Sequence, residues 1–302
     1  MAIIFGTPAA DTLTGGAERD EIYGFDGNDT LDGGDGGDTL VGGAGVDTMR
    51  GGQGYDTYYV DDARDVIIDS FELSGGEVIA SVDYALPVGG NYIRAMFATA
   101  GTAPINLTGS TAPERLVGNE GPNRLDGGVD FQSGVRDQLE GLGGNDTYIV
   151  YGSNNRVREN PGQGNDLALV TFSELSPNEN QYSLIDVRET AYNSELETLA
   201  MADASSTRTF SLTGNEFAQT LIGNNGANSL TGNGGLDTLI GLGGDDYYLL
   251  DSRETDVIVE AVGGGTDAAS VPSGYTLPAG AEVEILYIIG LSGGTVTGNE
   301  FS

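Results

Sequence analysis

Large apolar side chains recur at a fixed interval near the start of the chain. Leu13, Ile22, Leu31, Leu40, Met49 and Tyr58 are each nine residues apart. Side chains alternate along a strand, so a three-residue strand centred on each of these positions points it inward and its neighbours outward. The six residues between are rich in glycine, which alone tolerates positive φ at little steric cost, and they read as turns. Two such units complete one coil of a flattened parallel solenoid, with coils stacked about 4.8 Å apart.

A second ruler runs in phase with the first. Asp11, Asp20, Asp29, Asp38, Asp47 and Asp56 each stand two residues before an apolar position. Gly33-Gly34, Gly42-Gly43 and Gly51-Gly52 open their units, and Gly27, Gly36, Gly45 and Gly54 take the fourth place. The unit is Gly-Gly-x-Gly-x-Asp-x-U-x, with U large and apolar. Positions 18 residues apart share an edge, so Asp11, Asp29 and Asp47 line one edge and Asp20, Asp38 and Asp56 the other.

Composition narrows the chemistry. The chain has 302 residues, with 46 acidic side chains against 12 basic ones, all arginine, giving a net charge of −34. Glycine contributes 50 residues, and Lys, His, Cys and Trp are absent. Zinc-finger, thiol-nucleophile and Ser-His-Asp chemistry are thereby excluded, as are Schiff-base and P-loop lysines. So acidic a chain does not by itself hold nucleic-acid phosphates or an anionic membrane surface. No run approaches the roughly 18 apolar residues of a membrane span. The N-terminus, Met1-Ala2-Ile3-Ile4-Phe5-Gly6, shows no standard secretory signal.

What remains is carboxylate, backbone carbonyl and glycine, the ligand set of a hard cation such as calcium. The aspartate ladder repels itself. Two unit charges about 4.8 Å apart cost roughly 0.9 kcal/mol in bulk water and about 3.5 at an effective dielectric near 20. Ca²⁺ between stacked turns reverses the sign, taking the carboxylates together with carbonyls of Gly24, Gly27, Gly33, Gly34, Gly36, Gly42, Gly43, Gly45, Gly51, Gly52 and Gly54. The block is expected to fold on binding calcium and to be disordered without it.

The pattern returns twice with fewer acids. The second block has Glu114, Asn123, Asp137 and Asp146 at the aspartate place, with extra residues around Val129 to Val135 read as a bulged turn. The third has Gln219, Asn228, Asp237 and Asp246. The openings of both blocks should hold cations weakly or not at all. About four ions in the first block and two in each of the others give about eight Ca²⁺, which would roughly halve the net charge. Each block closes on a tyrosine, Tyr58, Tyr148 or Tyr248, read as a plug of the widening core rather than a sugar-stacking platform.

The organisation is therefore a first block over 1–60, a β-rich insert over 61–108, a second block over 109–150, an insert over 151–213, a third block over 214–250, and an insert over 251–302 that begins a further repeat. The inserts echo one another: Asp65-Val66-Ile67-Ile68 matches Asp256-Val257-Ile258-Val259, and Tyr84-Ala85-Leu86-Pro87 matches Tyr275-Thr276-Leu277-Pro278, with Tyr182-Ser183-Leu184 between them. They read as longer-strand coils continuing the solenoid, with small β-sandwiches as the alternative. Glu195 to Met201 reads as a strand or as one or two helical turns. Thr297-Gly298-Asn299-Glu300-Phe301 repeats Thr213-Gly214-Asn215-Glu216-Phe217. It suggests a further block, either of a longer array or as an open coil end available for self-association.

These nonapeptides resemble the RTX, or haemolysin-type, calcium-binding repeats of Gram-negative bacteria. The resemblance is most specific over Gly6 to Tyr59 and weaker over Gly109–Ile149 and Gly214–Leu249. It implies an all-β fold, a parallel β-roll or β-solenoid with strand-rich inserts, exported by type I secretion and folding outside the cell. The expected role is structural, adhesive or surface-layer-like, with calcium, further copies of the chain or cell-surface polysaccharide as partners. The alternative is an accessory array of a larger secreted enzyme or toxin. No catalytic residue is assigned, because among 46 acids some pair falls within glycosidase distance by chance.

Overall fold

The computed structural model describes residues 1–69, 75–87, 92–128, 136–151, 155–171, 183–186, 195–250, 256–290 and 294–301. In it the apolar ruler becomes a core column. Leu13 pairs with Leu31 and Leu31 with Met49 in one parallel sheet, while Ile22 pairs with Leu40 and Leu40 with Tyr58 in another. Partners are 18 residues apart, so two nonapeptides make one coil. Ile22, Leu31, Leu40, Met49 and Tyr58 are fully buried, and each such side chain contributes about 1.5–3 kcal/mol.

The strands exceed the three residues expected. Glu21–Asp26, Thr30–Asp35, Thr39–Ala44 and Thr48–Gln53 each span six residues and include the glycine pair or its equivalent. Gly34 pairs with Gly52 and Phe25 with Gly43, so the ladder continues round the corner. Gly43, at φ 91°, shows why this works. A Cβ there would run into the carbonyl of Phe25 one coil earlier, so a side chain would force the coils apart.

Two compact units comprise Met1–Thr147 and Tyr148–Ser302. In the first, the 61–108 insert extends the stack. Asp56–Val60 pairs in parallel with Gly76–Ala80, which pairs with Ile93–Ala98, then Arg115–Val117, then Gln138–Glu140. Val66–Ile68 adds to the other face beside Thr48–Gln53, and Tyr84–Ala85, Leu107–Thr108 and Arg124–Asp126 form a further parallel ladder.

The second unit is built alike. One ladder runs Leu167–Thr171, Thr198–Met201, Thr220–Ile222, Thr238–Ile240 and Val257–Val259. The other runs Ser183–Asp186, Phe210–Thr213, Asn228–Thr231, Tyr247–Leu249, Ala268–Pro272 and Ile285–Ile289. Leu221 and Leu239 are fully buried along the first ladder, and Leu212, Leu230 and Tyr248 along the second. The described residues of the inserts are thus coils of the solenoid rather than sandwiches, and Thr198–Met201 is a strand.

All strand pairings among the described residues are parallel, and none of these residues forms a helix able to cross a membrane. Tyr58, Tyr148 and Tyr248 have no exposed surface and act as plugs. The extra residues from Val129 to Val135, and Tyr182, lie outside the described residues.

Candidate metal sites

The aspartates of the repeat form two ladders along the solenoid edges, held by one recurring hydrogen bond. Oδ1 of each acid accepts the backbone N–H of the equivalent residue one coil earlier. Asp29 accepts from Asp11 at 2.7 Å, Asp47 from Asp29 at 2.7 Å, Asp38 from Asp20 at 2.7 Å and Asp56 from Asp38 at 2.8 Å. The same bond joins Asp137 to Glu114 and Asp146 to Asn123 in the first unit, and Asp237 to Gln219 and Asp246 to Asn228 in the second. Asp20, Asp29, Asp38, Asp47 and Asp56 are all buried.

The second carboxylate oxygen separates two kinds of turn. In closed turns it, or its amide counterpart, accepts the N–H four residues earlier. Asp11 accepts from Thr7 at 2.5 Å and Asp20 from Gly16 at 2.7 Å. Asn123 accepts from Asn119 at 2.7 Å, Gln219 from Asn215 at 2.8 Å and Asn228 from Asn224 at 2.8 Å. Glu114 does the same with Ser110. None of these donors has positive φ.

In open turns the residue four before the acid is left-handed. It is Phe25 before Asp29, at φ 80°, then Gly34, Gly43 and Gly52 before Asp38, Asp47 and Asp56. Leu142 before Asp146, Asn233 before Asp237 and Leu242 before Asp246 have φ 76°, 72° and 80°. The freed Oδ2 of Asp29, Asp38, Asp47, Asp56 and Asp246 is buried with no hydrogen-bond partner. A left-handed Phe or Leu costs on the order of 1–2 kcal/mol, and strain of this kind collects where a site requires it.

Each orphaned oxygen, like its counterpart in the closed turns, lies against a glycine. A Cβ on Gly24 would collide with Asp29 Oδ2 and with the carbonyl of Gly42 in the next coil. Gly33, Gly42 and Gly51 stand in the same relation to Asp38, Asp47 and Asp56. Gly27, Gly36, Gly45 and Gly54 instead have the preceding coil's backbone as their nearest neighbours, and Gly34, Gly43 and Gly52 meet a carbonyl 18 residues back. Buried carboxylate and carbonyl oxygens, with no donor to satisfy the carboxylate, are the environment a hard cation completes. The open turns therefore fit calcium.

Closed turns in the Asp-poor openings fill the equivalent place with an amide. Asn123 Nδ2 donates to the carbonyl of Ile105 at 2.9 Å, and Gln219 Nε2 to that of Leu196 at 2.7 Å. Asn119 braces the Asn123 turn, donating to the carbonyls of Thr99 and Ala103, and Asn224 braces the Asn228 turn, donating to that of Arg208. These turns are staples that need no ion.

Backbone N–H donors from Ala2 and Gly16 hold Asp20 below the ordinary carboxylate range. Burial pushes Asp47 and Asp56 up to about 6 and Asp246 up to about 8, and neighbouring carboxylates add to the rise.

Sequence reasoning missed the acids that carry the ladder into the inserts. Asp65 accepts the N–H of Asp47 at 2.9 Å, Asp256 that of Asp237 at 3.1 Å and Asp267 that of Asp246 at 2.7 Å. Their signal was an aspartate two residues before a buried apolar position, Ile67, Ile258 or Ala269, with no glycine just before Asp65 and Asp256 and with Gly263-Gly264-Gly265 before Asp267.

A family model of RTX calcium-binding nonapeptide repeats matches four stretches, residues 5–40, 26–58, 108–130 and 213–248. These fall on the three blocks, so the chain carries RTX calcium-binding repeats. No curated protein matches the chain closely enough to count as a relative.

Proposed function

From these repeats we propose that the chain is an extracellular structural or adhesive array, exported by type I secretion, whose open turns fold around calcium while its amide-stapled turns hold without it. The reading is carried by one observation: open turns bury a carboxylate oxygen that has no donor, as at Asp29, Asp38, Asp47, Asp56 and Asp246. A buried unsatisfied oxygen costs about 1–3 kcal/mol, more when charged, so these turns are poorly stable without a cation. Seven open turns among the described residues support a count near the eight ions expected from sequence. Affinities of about 10⁻⁴–10⁻³ M, the range of extracellular calcium modules, would make export the trigger for folding.

The test is a calcium titration of the chelator-treated chain followed by far-UV circular dichroism and light scattering. Strand signal should rise with calcium, and growth in scattering would mark self-association. Identical strand content in excess chelator would overturn the reading.

A further inference from the structure

The coil that follows the third block carries acids that lie outside the nonapeptides. Glu260 and Asp267 come from the insert, yet they meet Asp246, and one ligand oxygen from each lies within 4.8 Å of the others. Their residues are 2%, 4% and 0% exposed for Asp246, Glu260 and Asp267. Each carboxylate is aimed by the protein. Asp246 Oδ1 accepts the N–H of Asn228 and Asp267 Oδ1 that of Asp246, both at 2.7 Å. Glu260 Oε1 accepts the N–H of Ala261 at 2.9 Å, and Glu260 Oε2 accepts the hydroxyl of Tyr248.

Two oxygens are left over. Oδ2 of Asp246 and Oδ2 of Asp267 are buried with no hydrogen-bond partner. The bare Cα of Gly241 keeps the space open, since a Cβ there would meet Asp246 Oδ2, the Tyr248 hydroxyl and Glu260 Oε2. Leu242, held at φ 80°, follows it. No lysine or arginine guanidinium is bonded to any of the three acids among the described ion pairs.

We infer that Asp246, Glu260 and Asp267 form a calcium site that closes the third block, with two of its three carboxylates supplied by the insert. It rests on the reading that the repeats bind calcium, and it adds a ligand set the nonapeptide does not contain. Three buried carboxylates suit calcium, which accepts an all-protein oxygen cage, better than magnesium, which keeps its waters. The first block is an internal contrast. There Tyr58 donates to Asp69 at 3.3 Å, as Tyr248 does to Glu260, but Gly76 stands opposite Asp56, whereas Asp267 Oδ1 accepts the N–H of Asp246. Among the described residues no third carboxylate stands at that place.

The experiment uses the full chain and calcium itself. Bound calcium per chain is measured by equilibrium dialysis for wild type, Glu260→Gln, Asp267→Asn and, as a control on the repeats, Asp38→Asn. Thermal unfolding is recorded with calcium and with chelator. Glu260→Gln and Asp267→Asn should each bind one ion fewer. They should melt higher than wild type in chelator, because a buried repulsion is relieved, and lower in calcium. Unchanged stoichiometry in both, with calcium lost in Asp38→Asn, overturns this site and leaves the repeat reading standing. Lower melting in both conditions overturns it too, because that is the mark of a purely structural contact. A wild-type chain that binds no calcium overturns the repeat reading and this site together.

Discussion

A single backbone choice decides what each repeat aspartate can do. Gly16 and Gly34 occupy the same place before Asp20 and Asp38, yet only Gly34 is left-handed. At Asp20 the turn N–H satisfies the carboxylate; at Asp38 it does not, and an oxygen is left for a cation. Leu242 adopts the open geometry against its own preference. Asparagine tolerates that region far better, as Asn233 already does at φ 72°. Leu242→Asn should therefore raise stability in saturating calcium by about 0.5–1 kcal/mol, read from denaturant unfolding. The closed turns make the opposite prediction. Asn228 is 3% exposed and donates to Asn224 Oδ1 at 3.0 Å. Asn228→Asp removes that donor and buries a charge against the same oxygen, so it should cost about 1–3 kcal/mol in chelator, seen as a lower unfolding midpoint.

At the scale of the element, the strands and their pairing were legible because the U position is strict. Leu31, Leu40 and Met49 bury completely, and an 18-residue offset is the one register that keeps them in a column. The ladder edges were legible for the same reason. The division into open and closed turns was not, because it depends on the orientation of one peptide rather than on residue type. Asp11 and Asp20 look like Asp29 in sequence but accept N–H bonds from Thr7 and Gly16. Asp65 and Asp256 were missed because their turns lack glycine, and Asp267 because it stands 21 residues after Asp246, out of the nine-residue phase, although Gly263-Gly264-Gly265 precede it. The division also predicts uneven order without calcium. In chelator, amide hydrogens of Thr220–Ile222 and Asn228–Thr231, beside the Gln219 and Asn228 staples, should exchange more slowly than those of Thr30–Asp35 and Thr39–Ala44. Equal exchange in the two regions would count against the staples.

Over the whole molecule, the net charge of −34 is held partly in sites where the ionised form is disfavoured. Asp47 and Asp56, raised to about 6, and Asp246, raised to about 8, keep protons in the cation-free fold that the unfolded chain has already released. The native state then binds more protons than the unfolded one, so stability falls as pH rises. The loss begins near the unfolded value of about 4 and, for Asp47 and Asp56, is complete as pH passes about 6; Asp246 extends it to about 8. The chelated chain should thus be more stable at pH 5 than at pH 8. Calcium affinity should move the other way, since the ion displaces those protons. Melting curves and calcium titrations at the two pH values check both signs.

The 18-residue register carries a consequence for changes in length. Leu31 stands beside Met49 because two nonapeptides return the chain to the same edge. Adding or removing a pair of nonapeptides would shift later residues by one layer and leave every neighbour of the same kind. Removing a single nonapeptide from the first block would preserve the repeat locally, yet turn everything downstream by half a coil. Asp65 would then reach for the edge of Asp56 instead of its present partner Asp47. Insertions and deletions in such a block are therefore tolerated in even numbers of repeats, and an odd number misdirects the insert that follows.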